Sequence, residues 1–348
     1  MSRAGEWFLR SGIQQPNGGV ARYYRTDLER NQAVSTEITG YAASAFVYLH
    51  TTTRDARYLD HAVAAARFLT RTAWDSTSAA MPFEIDPPAF TYFFDCGIVV
   101  RGLVSVWRVT ADAEFLDAAA ALGKAMVRDF AAADGSFHPV LSLPDKHPLE
   151  QDASRWSRAP GCYQLKAAMA WGDLLEATAD ARFREPYERM LEYSLGACVG
   201  FLPGHAERPK VMDRLHAFLY FLEGLLPMAG DPLCDAALGD GIRRVAKFLR
   251  DFAPQFERSD VYAQLLRVRL YADWAGAVPL DGAAARWEAE RLREFAAASD
   301  DARIAGGFYF GRIAGEWEPY INPVSTAFAL QALALADGAG QAHRHLLI

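Results

Sequence analysis

Six stretches of this 348-residue chain are apolar on nearly every face of a helix, and each is entered through a polar or titratable residue. They open at 35–41, 93–97, 162–166, 215–220, 261–266 and 324–330. Other segments have one apolar stripe and a polar remainder, at 56–71, 111–130, 181–199, 232–252 and 283–297, with a shorter one at 5–14. In the first of these, Tyr58, Leu59, Ala62, Val63, Ala66, Phe68 and Leu69 recur at the interval of an amphipathic helix. Asp55 and Asp180, each followed by Ala-Arg, supply N-caps. A helix apolar all round is enclosed by protein, whereas a striped one faces water. With Glu37, Asp95, Gln164, His216, Gln264 and Thr326 as markers, the spacings are 58, 69, 52, 48 and 62 residues. Each holds two helices and their connections, so the repeating unit is a helical hairpin. The pattern predicts an all-α chain forming one domain over residues 1–348. Six inner helices stand within six outer ones as an (α/α)6 toroid, with the markers converging at one mouth. An open α-solenoid is the alternative; the irregular spacings and the polar residues gathered at one end favour closure.

Loops rich in glycine and aromatic residues separate the helices at 16–24, 81–85, 134–140, 200–205 and 306–311. A turn followed by alternating apolar residues predicts short β-hairpins over the same mouth. These regions offer Tyr23, Tyr24, Phe137, His138, Trp156, Phe308, Tyr309 and Trp317 to the opening, and His138 and His205 lie in such loops. Aromatic faces beside carboxylates and amides suit a sugar, whose ring has apolar C–H faces and a hydroxyl rim. Each ring can equally serve as a plug inside the toroid.

Composition narrows the partners. Hydrophobic residues at 51% and charged residues at 23% are those of an ordinary globular protein, and one continuous core suits this length. The net charge of −7 and pI near 5.7 argue against nucleic acid or an anionic membrane as partner. Cys96, Cys162, Cys198 and Cys234 make no C-x-x-C pair, and residues 1–10 lack the apolar core of a signal peptide. A reduced, cytoplasmic setting is therefore expected. No stretch approaches the ~20 apolar residues of a membrane span, so no membrane insertion is expected. The sequence specifies no oligomeric state.

Four short motifs carry a family resemblance. They are Asn17-Gly18-Gly19-Val20, Thr36-Glu37-Ile38-Thr39-Gly40-Tyr41, Phe94-Asp95-Cys96-Gly97, and His216 followed by Tyr220, Glu223, Gly224 and Leu225. Together they resemble the six-hairpin toroids of carbohydrate-active proteins: unsaturated glucuronyl hydrolases, N-acylglucosamine 2-epimerase-like isomerases and C5-epimerase-like domains. The likeness is nearest to bacterial polysaccharide-biosynthesis proteins of prenyltransferase- or glycosidase-like type, and it spans most of the chain. It implies the toroid fold and a sugar or glycan ligand. In unsaturated glucuronyl hydrolases an aspartate in a similar Phe-Asp-x-Gly context is functional, and the resemblance carries that role onto Asp95.

Candidate chemistry follows from residue types. Glycoside hydrolysis needs two carboxyl groups flanking the bond, about 5 Å apart in retaining enzymes and about 6.5–9.5 Å in inverting ones. Glu37 and Asp95 head successive inner helices and are the candidate pair. An acid in a helix's first turn also arises simply by complementing the helix dipole. His216, with Tyr220 and Glu223 on the same helical face, is the candidate general base of an epimerase, in which a His/Tyr pair moves a proton next to a carbonyl. It can also be a core histidine bonded to a neighbouring helix. Glu223 lies deeper and is expected to orient its neighbours. Arg22, Arg101 and Lys166 are the cations nearest the expected site and can select an acidic sugar. Arg22, Tyr24, Tyr41, Trp156, Tyr163, Gln264, Tyr309 and Asn322 are the expected substrate contacts. No cofactor and no metal is expected: H-E-x-x-H, Cys/His zinc spacing, phosphate-loop and G-x-S-x-G signatures are all absent from the sequence. The expected function is action on a carbohydrate, with hydrolysis slightly ahead of epimerisation. A non-catalytic glycan-binding protein of polysaccharide biosynthesis is the third reading.

Overall fold

The structure, a computed structural model, describes residues 2–202, 208–253, 255–339 and 343–348. Twelve α-helices occur among the described residues: α1 (Ser2–Arg10), α2 (Thr36–Thr53), α3 (Ala56–Phe68), α4 (Phe93–Thr110), α5 (Ala113–Asp129), α6 (Gln164–Thr178), α7 (Arg184–Ala197), α8 (Arg208–Leu225), α9 (Pro232–Phe252), α10 (Ser259–Trp274), α11 (Gly282–Arg293) and α12 (Pro323–Ala336). The polarity contrast read from the sequence is realised in burial. α4 is buried without interruption from Phe93 to Val106, and α10 from Ser259 to Arg269. α5 and α9 bury only a stripe. Two boundaries shift: the segment after α3 continues as a single wider turn, Leu69–Ala73, and α7 is preceded by a 3-10 turn, Ala181–Phe183.

The chain divides into two compact units: an N-terminal one of residues 15–20 and 33–199, and a C-terminal one of residues 1–14, 21–32 and 200–348. In the N-terminal unit, three inner helices end on a left-handed residue that is followed at once by an aspartate capping the next segment. The pairs are Arg54-Asp55, Ala111-Asp112 and Ala179-Asp180, with φ of 64°, 56° and 56° at the first member. The left-handed residue closes one helix and the carboxylate opens the next, so each turn takes two residues. A small antiparallel sheet joins β3 (Phe90–Tyr92) to β4 (Val140–Ser142) ahead of α4. Behind it, Phe93, Phe137 and Trp171 pack with ring centroids 5.1–5.6 Å apart.

In the C-terminal unit β1 (Tyr24–Arg25) lies between β2 (Arg30–Asn31) and β8 (Tyr320–Ile321), and β6 (Gly311–Ile313) between β5 (Phe256–Arg258) and β7 (Glu316–Trp317). The hairpins expected in the loops are thus displaced. No strand falls at 81–85, whose chain bends before β3, and β1, β4 and β6 begin only at the last residue of their loops. The loop at 200–205 runs past the described residues, and His205 lies outside them. Glu223 and Arg267 are an ion pair with no solvent exposure, so Glu223 serves the interior.

Inner helices of the N-terminal unit touch backbone to backbone. A Cβ on Gly102 of α4 would meet the Gly40 carbonyl of α2 at 2.5 Å, and one on Gly97 would meet the Ala167 carbonyl of α6 at 2.5 Å. Alanine ordinarily gains about 0.5–1 kcal/mol over glycine inside a helix. That sign holds at Gly172 of α6, where a Cβ meets nothing within 4 Å, so Gly172→Ala raises stability by about this amount. Gly102→Ala reverses it and lowers stability by about 1–3 kcal/mol, the usual effect of overpacking. Urea unfolding of both variants checks this, and shifts of the same sign in the two would sink the close-contact account.

Candidate active site

In the C-terminal unit β5 runs directly into α10, and the junction is built on charge. Arg258, the last residue of β5, donates from Nε and Nη2 to both oxygens of Asp260 at 3.0 and 2.6 Å. Its Nη1 donates to Asp213 of α8 at 2.6 Å, and its guanidinium lies 4.4 Å from the centre of the Phe310 ring. Burial alone would push the Asp260 pKa up, but the charges of Arg258 and His216 outweigh it and hold the carboxyl below its ordinary value. The same exchange raises Arg258 despite its own burial.

This carboxylate fixes a histidine. His216 Nδ1 lies 2.6 Å from Gln264 Oε1 and 3.3 Å from Asp260 Oδ2. A carboxylate can only accept, so Nδ1 carries the ring proton and Nε2 the lone pair. Burial depresses the His216 pKa. Asp260 offsets this in part and Arg258 adds to it, so the ring is neutral at pH 7. Tyr220 packs edge-on at 4.5 Å. Gln264 is fully buried, and its Nε2 has no hydrogen-bond partner among the described residues. A neutral imidazole with an anchored Nδ1–H is the arrangement of a general base.

The other expected contacts of this unit take separate positions. Asn322 caps α12, its Oδ1 accepting from the Val324 and Ser325 amides at 2.8 and 3.0 Å. Tyr309 stacks on Trp317 at 5.1 Å. Tyr24 is buried, with the Arg303 guanidinium 5.3 Å from its ring centre, and Arg22 is half-buried.

In the N-terminal unit Asp95 sits buried in the first turn of α4, and Glu37 half-buried in the first turn of α2. The ring of Phe94, beside Asp95, lies 6.0 Å from Tyr163 and 6.5 Å from Trp156, and those two rings are 4.9 Å apart. Burial, with the Tyr193 and Asp95 charges, raises the Tyr163 pKa, so its hydroxyl stays protonated and donates to the Ala159 carbonyl at 3.1 Å. Tyr41 and Lys166 are buried. The structure corrects the reading of Arg101, which pairs with Asp173 at 3.1 Å within the interior. The Cys96 thiol is pushed up to about 12 by burial and is a poor nucleophile. No disulfide joins the four cysteines. No group of three or more His, Cys, Asp or Glu side chains among the described residues is placed to hold a metal ion.

Of the expected site residues, His216 and Gln264 are in contact, and Trp156 and Tyr163 pack against Phe94, the neighbour of Asp95. The sequence reading missed Asp213, Arg258 and Asp260. The signal for Asp260 was present: it occupies the first turn of its inner helix, as Glu37 and Asp95 do in theirs.

A family model for the beta-L-arabinofuranosidase GH127 catalytic domain matches residues 19–196, just over half of the chain. The chain belongs to this family. No curated protein matches it. Among solved structures, this GH127-family chain is similar to cellobiose 2-epimerase from Bacillus thermoamylovorans B4167, with TM-score 0.73, 14% identity and 94% of each chain covered. It is also similar to a D-mannose isomerase, with TM-score 0.71, 10% identity and 97% of this chain covered against 96% of that one. The third is an inactive variant of the α-1,6-mannanase GH76A of Salegentibacter sp. HEL1_6, with TM-score 0.60, 11% identity and 97% and 98% covered. At these identities the likeness shows the fold, the all-α (α/α)6 toroid of six helical hairpins. The GH127-family chain is a carbohydrate-active enzyme. Among the described residues no helix is long and apolar enough to cross a membrane.

The depressed His216 pKa makes stability depend on pH. Its folded value lies below the 6.5 of a free histidine, so below ~6.5 the unfolded chain takes up a proton that the folded one resists. The contribution is whole above that pH and is lost as the pH falls. Between about pH 7.5 and about pH 5.5 the wild type should lose more unfolding free energy than His216→Gln. His61, depressed in the same direction, is common to both proteins and cancels. Equal pH slopes in denaturant titrations would rule out a neutral, buried His216.

Proposed function

We propose that this enzyme isomerises or epimerises a sugar beside its carbonyl carbon, with His216 as the base. One observation carries the reading: His216 Nδ1 is held by Gln264 and Asp260, which leaves the lone pair on Nε2 of a neutral ring. Nε2 takes the proton from the carbon next to the carbonyl, and the C–H electron pair passes into an enediolate. Asp260 steadies the imidazolium that forms, and return of the proton to carbon completes the turnover. The full-length likeness to a cellobiose 2-epimerase and a D-mannose isomerase supports such a substrate. Arg22, Tyr24, Tyr309, Gln264 and Asn322 belong to this proposal as sugar contacts of the C-terminal unit. So do the single-domain reading of residues 1–348 and a cytoplasmic, polysaccharide-biosynthetic setting.

A second reading is glycoside hydrolysis by Asp95 and Glu37, with Tyr41, Trp156 and Tyr163 around the sugar. It is favoured by the family match, which contains all five residues, and by the buried carboxyl of Asp95 beside an aromatic cluster.

Two assays separate the readings. Mannose and cellobiose are incubated in D2O and followed by proton NMR for loss of the C2 hydrogen, and a p-nitrophenyl β-L-arabinofuranoside is followed for nitrophenol release. Isomerase chemistry predicts exchange that His216→Gln lowers by ~10²-fold or more while Asp95→Asn leaves the enzyme competent. Release of nitrophenol that Asp95→Asn abolishes, with no exchange from either sugar, would replace the first reading by the second.

A further inference from the structure

A carboxyl group at the same junction has no role in the reading above. Glu318 follows β7, and its position is set by the backbone: its amide donates to the Gly311 carbonyl at 2.9 Å, and its carbonyl accepts from the Tyr320 amide at 2.8 Å. Gly311 is the strand partner of Arg258. A Cβ on Gly311 would sit 2.7 Å from Glu318 Oε2 and 3.5 Å from Arg258 Cγ. The carboxyl therefore occupies space that only glycine leaves open, against the arginine that holds Asp260 to His216. Oε2 is buried and has no hydrogen-bond partner among the described residues. A buried acceptor without a partner is destabilising, and a fold keeps one where something else uses it.

We propose that Glu318 is the general acid of the His216 site, protonating the sugar carbonyl oxygen as His216 removes the neighbouring carbon proton. This rests on the isomerase reading. The C–H bond breaks, its proton goes to His216 Nε2, and the electron pair forms the C=C bond. The carbonyl π pair takes the Glu318 proton to give a neutral enediol. On return, carbon regains a proton from the imidazolium and the enediol O–H goes back to Glu318, so both groups end as they began. The surroundings shift the carboxyl toward its protonated form: burial raises its pKa, Arg258 lowers it, the Asp260 and Asp213 charges raise it, and a Tyr320 hydrogen bond lowers it, with a net rise. Tyr320, itself raised by burial and by Glu318, stays protonated and stacks on Phe310 at 5.0 Å. One base and one acid acting at adjacent atoms describe aldose–ketose exchange most directly, so the preferred substrate class is a reducing sugar with a free carbonyl form.

The test compares the full chain with Glu318→Gln, which keeps shape and removes the transferable proton. Deuterium exchange into mannose in D2O should fall by about a hundredfold or more, with Tm unchanged or raised. The wild-type rate should decline above the pH at which Glu318 ionises, and the residual rate of the variant should lack that limb. A variant exchanging within about threefold of wild type, or retaining the alkaline decline, overturns the role of Glu318. Loss of Tm with activity per folded molecule intact does the same. A wild type that exchanges no hydrogen from any reducing sugar tried overturns the isomerase reading itself, and this role with it.

Discussion

A carboxylate taken out of water must find a cation, and a cation a carboxylate, because a low-dielectric interior tolerates neither alone. Arg258 and Asp260, two residues apart and both buried, answer that demand for the C-terminal unit. Their pairing lets the strand ending at Arg258 turn directly into α10. It seats the guanidinium on Phe310 and ties α8 in through Asp213. It also sets the proton on His216, since the ring sees an acceptor on its Nδ1 side. Removing one member of such a pair typically destabilises by about 3–5 kcal/mol, because the other charge is left stranded. Structure and chemistry here share one interaction.

The N-terminal unit solves its problem differently. Its inner helices are brought together by missing side chains, at Gly40, Gly97 and Gly102, and its hairpins turn through a left-handed residue followed by an aspartate. Asp95, buried, and Glu37, half-buried, sit in the first turns of two of these helices.

What could be read from the sequence was mostly local. The apolar runs, the stripes and the Asp-Ala-Arg caps are effects of neighbours three or four residues apart, and twelve helices follow from them. Contacts distant in sequence stayed hidden. Asp213 and Arg258 meet across 45 residues, and nothing in either segment announces the other. Arg101 looks like a ligand-binding cation until Asp173, 72 residues on, neutralises it. Asp260 shares the first-turn position of Glu37 and Asp95, and what sets it apart, its contact with His216 of another helix, is long-range. The strands were misplaced because aromatic and glycine content marks a loop's composition, whereas pairing depends on which distant segment lies alongside.

The two-residue turns carry an evolutionary consequence. A left-handed residue and a capping aspartate define the angle between an inner and an outer helix using backbone geometry and one side chain. Helix separation rests on absent side chains rather than on matched ones. A lineage can therefore replace almost every other residue, including the first-turn acids and the buried histidine, without losing the frame. Neighbours that share only 10–14% of their residues over nearly their whole length, among them an epimerase, an isomerase and a mannanase, are what such a frame permits. Divergence of reaction and persistence of shape are here two results of the same economy of side chains.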